Sequence, residues 1–141
     1  MSESIYLLDT NMFSYIAKGN SPAARRKWLK LSLDREVAIG ISVITEAEVR
    51  YGLAKHAISR ERAEAIEGLL ANLQILPWSS EEAAAYARIR AQLEAKGVTL
   101  SAMDMLIAAQ AVTAGAVLIT RDKIFEHVSD LQDTVNWATD L

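Results

Sequence analysis

The sequence predicts a single three-layer α/β/α domain over residues 1–141, built on a central, mainly parallel sheet of four to five strands. Short apolar runs alternate along the chain with longer segments that have helical spacing of apolar residues. Ser, Thr or Asp residues precede several of these longer segments, and glycines follow them. A chain of 141 residues is long enough to bury one core and too short for two independent domains.

Four apolar runs are too short for helices and are typical of buried parallel strands. They are residues 5–8, 37–42, 74–76 and 116–119, and a fifth short strand is expected near residues 134–137. Strands that alternate with helices form crossover units, so the strands should run parallel. The carboxyl ends of all strands then meet at one edge of the sheet, where such folds bind ligands.

Six helices are predicted between these strands. They cover residues 10–18, 22–33, 45–55, 59–72, 79–97 and 101–114. Gly19, Gly97 and Gly115 are placed to end three of them. Ser79 and Glu82 have the spacing of a capping box, and Pro22 follows a cap residue at the first helical position.

Composition limits the class of protein. Hydrophobic residues make up 51% of the chain and the mean hydropathy is +0.10, which suggests that a partner covers some surface. The chain has no Cys, so disulfides and thiolate metal sites are excluded. No secretion signal is apparent, and Gln110 and Thr113 interrupt the apolar stretch 105–119, which is too short for a membrane span. We therefore expect a cytoplasmic protein with no membrane partner.

The charge balance argues against binding of nucleic acid by bulk positive charge. The formal net charge is −3 and the isoelectric point is about 5.4. A local basic rim can still meet phosphate, although most of its candidates are expected to be ordinary solvated helix residues. The candidates are Arg25, Arg26, Lys27, Lys30, Arg50, Lys55, Arg60, Arg62 and Arg121.

Four acids in different parts of the chain each lie at or just after a transition from an apolar or turn segment into a predicted helix. They are Asp9, Glu48, Asp104 and Asp122. If the parallel sheet gathers these transitions at one edge, four carboxylates converge there. A hard divalent cation is the simplest group that neutralises them.

Each acid also has a purely local interpretation. Glu48 follows Thr45 by three residues and Asp104 follows Ser101 by three, which is the capping-box spacing. Asp9 and Asp122 are placed to cap the helices that follow them. The apolar neighbours of Asp9 and Asp104 favour the metal hypothesis, because partly desolvated carboxylates are costly without a compensating charge.

Four segments of the chain resemble one known family. They are Asp9-Thr10-Asn11, residues 44–52 (ITEAEVRYG), residues 104–109 (DMLIAA) and residues 118–122 (LITRD). Together, and in this order, they resemble the PIN-domain ribonucleases, and more narrowly the VapC toxins of bacterial toxin-antitoxin pairs. The resemblance extends from about residue 5 to residue 137.

The resemblance implies roles for particular residues. Asp9, Glu48, Asp104 and Asp122 match the acidic quartet that surrounds Mg2+ or Mn2+ in the family. Asp9 and Asp104 are the expected main ligands, Asp122 a second-site or water-mediated ligand, and Glu48 an outer ligand or the group that orients the attacking water. Residues of the substrate-binding or supporting layer are expected to be Thr10, Asn11, Thr120 and Arg121.

Two positions depart from the family pattern or compete with it. Many relatives have Asn where this chain has Asp122, which restores a full quartet and favours activity. A Pro or Gly often precedes the third acid, where this chain has residues 100–103 (LSAM), so the start of that helix is in question. Glu46 competes with Glu48, which is preferred because residues 49–52 follow it in the family's order.

Mg2+ and Mn2+ prefer oxygen ligands, so neither His56 nor His127 is needed for the predicted chemistry. The ions would activate a water molecule for in-line cleavage of RNA. The resemblance implies a structured RNA cut in a single-stranded loop, with a tRNA anticodon loop first and ribosomal RNA second. Tyr51 and Trp28 could stack on bases, although core packing is the commoner role for such aromatics.

The resemblance also implies partners: a homodimer, and a VapB-like antitoxin whose tail reaches the active site, with DNA contacted only through that antitoxin. Apolar residues that could lie in such interfaces are Trp28, Leu29, Leu69 and Leu70, of which at least half are expected in the core. Another class of function is a non-catalytic PIN-like module that binds RNA or protein. A phosphoacceptor receiver domain lacks support, because residues 74–77 contain no Asp, and an aspartyl phosphatase would need Asp where Asn11 stands.

Overall fold

A computed structural model describes residues 4–139 as a five-stranded parallel sheet between two layers of helices, which confirms the predicted fold class. The strand order is β3-β2-β1-β4-β5, and every neighbouring pair is parallel. The strands are β1 (Ser4–Leu8), β2 (Val37–Ser42), β3 (Gln74–Leu76), β4 (Val117–Ile119) and β5 (Asp133–Val135). The predicted last strand is therefore real, and it lies one to two residues earlier than expected.

All six predicted helices are present. They are α1 (Thr10–Lys18), α2 (Pro22–Ser32), α3 (Val43–Lys55), α4 (Arg60–Ala71), α5 (Ser80–Lys96) and α6 (Ala102–Ala114). A short 3-10 helix covers Lys123–His127. The glycines expected to end α1, α5 and α6 all have positive φ angles between 62° and 72°, a conformation that side chains with a Cβ rarely adopt.

One helix start differs from the prediction. The hydroxyl of Ser42 accepts a hydrogen bond from the Ile44 N–H, so α3 begins at Val43, two residues earlier than expected. Thr45 is therefore inside the helix and fully buried, and it does not cap it. The capping-box interpretation of Glu48 is wrong for this reason.

The other caps agree with the sequence. Ser79 and Glu82 form a reciprocal capping box at the start of α5. Ser101 accepts a hydrogen bond from the Asp104 N–H, so α6 begins normally at Ala102 despite the absence of a preceding Pro or Gly. The start of this helix, which the family comparison had put in question, is thus regular.

The sheet buries both of its faces, as the continuous apolar strands predict. Adjacent residues of the central strand β1 point to opposite sides: Leu7 packs with α5 and α6, and Leu8 packs with α1, α2 and α4. Both leucines are fully buried. No helix within residues 4–139 combines the length and the apolar character needed to cross a membrane.

The proposed interface residues are mostly in the core. Leu69 and Leu70 are buried, and Trp28 packs partly buried against the same cluster. Leu29 is 50% exposed, and Leu33, which follows the last residue of α2, is 85% exposed. Of the four predicted positions, only Leu29 remains largely open to a partner.

A buried polar network joins the elements that carry the acids. The side-chain amide of Gln110 in α6 accepts a hydrogen bond from Ser42 and donates to Pro77 O and Glu82. Ser42 is also the cap of α3. The network therefore links the starts of α3 and α5 to the middle of α6.

Candidate active site

The first acid lies at the centre of the carboxyl edge of the sheet. Asp9 follows β1, and its N–H donates to Ile119 O, which continues the pairing of β1 with β4. β1 is also the strand at which the sheet order reverses, since β2 and β4 flank it. Asp9 thus lies at the position where open α/β sheets bind ligands.

Both oxygens of the Asp9 carboxylate are held. Oδ1 accepts a hydrogen bond from the Met12 N–H at 2.8 Å, so Asp9 does cap α1. Oδ2 accepts one from the Thr120 hydroxyl at 2.5 Å. The local interpretation of Asp9 is therefore correct but incomplete, because the second bond joins it to the end of β4.

Thr120 fixes the geometry of two acids at once. Its Oγ1 donates to Asp9 and accepts from the Asp122 N–H at 3.0 Å. Asp122 in turn accepts a hydrogen bond from the Ile124 N–H and caps the short 3-10 helix. Thr120 is buried whereas Asp122 is exposed, so the fourth acid reaches solvent at this edge.

Asp104 approaches the same edge from the other face of the sheet, on which α6 packs. It lies in the first turn of α6, which runs back towards the amino end of β4. Its side chain is half-buried.

Three of the four acids repel one another. Burial raises the pKa of the Asp9 carboxyl above its ordinary value of 3.8; hydrogen bonds from Thr120 and Met12 oppose the rise, and the charges of Asp104 and Asp122 add to it. Burial likewise raises the pKa of Asp104, with a bond to Ser101 opposing and the charge of Asp122 adding. Groups perturbed by burial together with like charges are concentrated at functional sites.

Glu48 is linked to the group through a neighbour of Asp9. The Thr10 hydroxyl lies 2.6 Å from Glu48 Oε1 and 3.2 Å from the buried hydroxyl of Thr45. Since a hydroxyl has one proton, the shorter contact to the carboxylate is where it donates. Glu48 is thus held by a long-range bond to the residue that follows Asp9.

Glu46 is engaged elsewhere. Its carboxylate forms an ion pair with Arg50 at 3.0 Å, one turn along α3, and Arg50 also contacts Glu67 of α4. Residues two apart on a helix face in different directions, so Glu46 and Glu48 cannot serve the same site from one face. The geometry favours Glu48.

The two remaining polar candidates differ in their surroundings. Asn11 is exposed in the first turn of α1. Arg121, between Thr120 and Asp122, donates a hydrogen bond to the Tyr15 hydroxyl at 3.1 Å, and its guanidinium lies 5.2 Å from the centre of that ring. The sequence gives no signal for Tyr15 at this site and suggests only a capping role for Thr45, because the contacts of both residues with the site are long-range.

The donor set fits a hard cation, with one restriction. Among residues 4–139, no group of three or more Asp, Glu, His or Cys side chains is close enough to enclose a metal ion by itself. Mg2+ commonly binds through one or two carboxylates, with water and substrate phosphate in the remaining positions. The acids can therefore hold an ion only as an open, water-rich site, and whether they do so stays a prediction.

A cleft begins beside Glu48. It has a volume of about 370 Å³ and runs between α1, α3 and α4, with Thr10 and Glu48 at one end and mainly apolar side chains such as Phe13, Val49 and Ile66 along its walls.

Comparisons with known proteins identify the family of the chain. Residues 6–131 match the PIN domain family. The chain is 33% identical over 128 residues to "Ribonuclease VapC2" of Rickettsia felis, which covers 90% of this chain and 94% of the relative. It is 29% identical over 134 residues to "tRNA(fMet)-specific endonuclease VapC" of Shigella flexneri, covering 94% and 98% respectively.

A solved structure supports the same relationship. The crystal structure of VapBC2 from Rickettsia felis bound to a DNA fragment from their promoter superposes with a TM-score of 0.86 at 28% identity. The match covers 94% of this chain and 98% of the compared chain. With a family match over most of its length and a relative above 30% identity, the chain belongs to the PIN-domain family and, within it, to the VapC ribonucleases.

Proposed function

We propose that this ribonuclease is the Mg2+- or Mn2+-dependent toxin of a toxin-antitoxin pair. The observation that carries the proposal is the pair of hydrogen bonds by which Thr120 joins Asp9 to Asp122 at the carboxyl edge of the sheet, where the charge of Asp104 also acts on Asp9. Three repelling carboxylates with no His or Cys among them form a donor set suited to a hard cation.

The residues would divide the work as follows. Asp9 and Asp104, the two acids that burial perturbs, would hold the cation, and the exposed Asp122 would contact it through water. When bound, the ion supplies Lewis-acid chemistry, polarising the scissile phosphate and making a water molecule more acidic. Glu48, with Oε1 held by Thr10, offers its other oxygen to orient the attacking water.

The proposed substrate is structured RNA cut in a single-stranded loop. The Shigella flexneri relative is named for tRNA(fMet), and this chain covers 98% of that protein's length. A tRNA anticodon loop is accordingly the first substrate to test. Because tRNA works in the cytoplasm, the proposed activity places the protein there.

The proposed partner is a cognate VapB-like antitoxin. The Rickettsia felis structure contains VapBC2 bound to a DNA fragment from their promoter, which supports a toxin that is paired with an antitoxin. For this chain we propose that contact with DNA is made through the antitoxin. A basic side chain of the partner near Asp9, Asp104 and Asp122 would compete with a cation for the same charges. We also propose a homodimer, for which the exposed Leu29 and Leu33 offer apolar surface.

The decisive experiment is cleavage of tRNA(fMet) by the purified protein with Mg2+ or Mn2+ and with excess chelator. We expect cleavage only with metal, and loss of at least about 100-fold in rate for Asp104→Asn. Asp34→Asn is the matched control, because Asp34 lies before β2, at the opposite edge of the sheet from the acids. An Asp104→Asn protein that cleaves at the wild-type rate rejects the assignment.

The alternative of a non-catalytic RNA-binding or interaction module gives a different result. Such a module binds tRNA but cleaves nothing with either metal. Expression in cells gives a second readout: the wild-type chain should arrest growth, Asp104→Asn should not, and the protein encoded by an adjacent antitoxin-like reading frame should relieve the arrest.

A further inference from the structure

A basic groove lies between α2 and the edge strand β5, which is the neighbour of β4 in the sheet. Its floor is the carboxyl end of the edge strand β5 and the residues that follow, from Thr134 to Trp137. Its wall is one face of α2, which presents Arg26, Lys27 and Lys30. The groove has a volume of about 610 Å³, and none of its described lining residues is acidic.

The basic residues share a face for a simple geometric reason. Ala23, Arg26, Lys27 and Lys30 are spaced by three or four residues, so they lie along one side of α2. The adjacent side of the helix carries Ala24 and other apolar residues into the core. Burial of that side orients the cations outward over β5, where both lysines are exposed.

A second cleft leads from the groove to Arg121, the residue before Asp122. This smaller cleft of about 260 Å³ shares Ala23 with the groove and is lined by Arg121, Tyr15 and Asn20. Arg121 lies between Thr120 and Asp122 in the chain, and the Tyr15 hydroxyl and ring hold its guanidinium. The two clefts together thus line up Arg121, next to Asp122 in the chain, with the lysines of α2.

We propose that this groove binds the phosphate backbone of the RNA strand that flanks the cut, with Arg121, Lys27 and Lys30 as the phosphate contacts. The inference rests on the proposed ribonuclease function and adds the path of the substrate. Charge favours this occupant: the whole chain has a net charge of −3, yet among the described lining residues of this groove every charged one is basic. The stretch of α2 from Ala23 to Lys30 is about 10 Å long. That length corresponds to about three nucleotides of a stacked strand.

Binding of a fluorescent polyuridylate of about 15 nucleotides tests the proposal, measured in an Asp104→Asn background with Mg2+ so that the probe stays intact. Lys27→Glu and Lys30→Glu should each weaken binding about fivefold to tenfold at low salt. Each should also lower the slope of log affinity against log salt by about 0.7, the value for one phosphate contact on a single strand. A probe of about two nucleotides, shorter than the stretch of α2, should lose less.

Arg88→Glu is the matched control. Arg88 is exposed on α5, which packs on the opposite face of the sheet from α2, and the substitution changes the net charge almost identically. Thermal unfolding of each variant, compared with its parent, shows that the fold is retained. If Lys27→Glu and Lys30→Glu bind the long probe as Arg88→Glu does, the inference is overturned.

This test of the groove does not depend on whether the proposed ribonuclease function is correct, because it measures RNA binding and not cleavage. Loss of binding in both lysine variants supports the groove even if the wild-type chain cleaves no RNA tested. Normal binding in both, with a wild-type protein that cleaves tRNA, rejects the groove and leaves the nuclease. Lysine variants that bind RNA normally but bind a co-expressed antitoxin more weakly assign the surface to the protein partner and also overturn the inference.

Discussion

The Thr120 hydroxyl donates to Asp9 Oδ2 at 2.5 Å, joining two residues that are 111 positions apart in the chain. The same oxygen accepts a hydrogen bond from the Asp122 N–H. One buried hydroxyl thus sets both the direction of the first acid and the backbone of the fourth. Although the hydroxyl is uncharged, its removal should disturb the positions of two acids, because both of its hydrogen-bond partners belong to the acidic cluster.

Replacement of Thr120 by Val keeps the shape and removes the hydroxyl. We expect a loss of about 1–2 kcal/mol in the free energy of unfolding, since an Asp9 oxygen and the Asp122 N–H both lose a partner. Cleavage should fall about 10–100-fold. Because the Thr120 bond lowers the pKa of Asp9, its loss should move the acidic limb of the pH–rate profile to higher pH.

Thr120→Ser supplies the control, as it retains the hydroxyl without the methyl group. It should restore most of the activity and the wild-type pH profile. If Thr120→Val and Thr120→Ser behave alike, the hydroxyl is not what positions Asp9.

Replacement of Asp9 by Asn should abolish cleavage and stabilise the metal-free protein. Because burial raises the folded-state pKa of Asp9, ionisation costs stability as the pH rises above the ordinary value of 3.8. We expect the free energy of unfolding of Asp9→Asn to be about 1 kcal/mol higher than that of wild type at pH 7. Urea unfolding at several pH values measures this, and the advantage should shrink as the pH falls towards 3.8.

Metal gives Asp9→Asn a second readout that does not depend on activity. Millimolar Mg2+ should raise the unfolding temperature of the wild-type protein, since a ligand bound only to the folded state stabilises it. The variant should show little of this increase. Equal stabilisation of both proteins by Mg2+ would place the ion elsewhere.

Replacement of Thr10 by Val should release Glu48 without unfolding the protein. The lost contact is the 2.6 Å hydrogen bond to Glu48 Oε1, and Thr10 is only partly buried. We expect about a tenfold drop in the cleavage rate with little change in the affinity for RNA, and recovery in Thr10→Ser. Glu46→Gln is the comparison, because Glu46 is bound to Arg50, and its activity should stay near wild type. The opposite ranking of the two variants would make Glu46 the functional acid.

Replacement of Glu82 by Gln tests the buried network at the start of α5. Burial alone would raise the pKa of Glu82, but hydrogen bonds from the Ser79 hydroxyl and N–H lower it below the ordinary value of 4.5. The ionised form therefore stabilises the fold above about pH 4.5, and this contribution is lost as the pH falls through the lower folded-state pKa. Glu82→Gln should be less stable than wild type at pH 7, and the difference should narrow at pH 3. A constant difference across this range would show that charge plays no part.

The order and approximate bounds of the helices and strands can be predicted from the amino-acid sequence, because strand runs, serine caps and glycine ends are local signals. The sequence also contains four acids in motifs that resemble those of a known family. The charges of Asp104 and Asp122 raise the pKa of Asp9, and the charge of Asp122 raises the pKa of Asp104. The predicted start of α3 was two residues too late. Ser42 both ends β2 and caps α3, and the apolar pattern does not distinguish these two roles.

The contacts that hold these acids depend on the three-dimensional fold. The bonds from Thr120 to Asp9 and from Thr10 to Glu48 cross 111 and 38 positions of sequence, and each depends on the register of parallel strands rather than on neighbouring residues. The groove between α2 and β5 likewise arises because the apolar side of the helix must be buried, which turns its lysines outward beside Arg121. The acidic residues can thus be recognised in the sequence. Their proximity depends on the packed sheet, which brings the ends of distant strands to one edge.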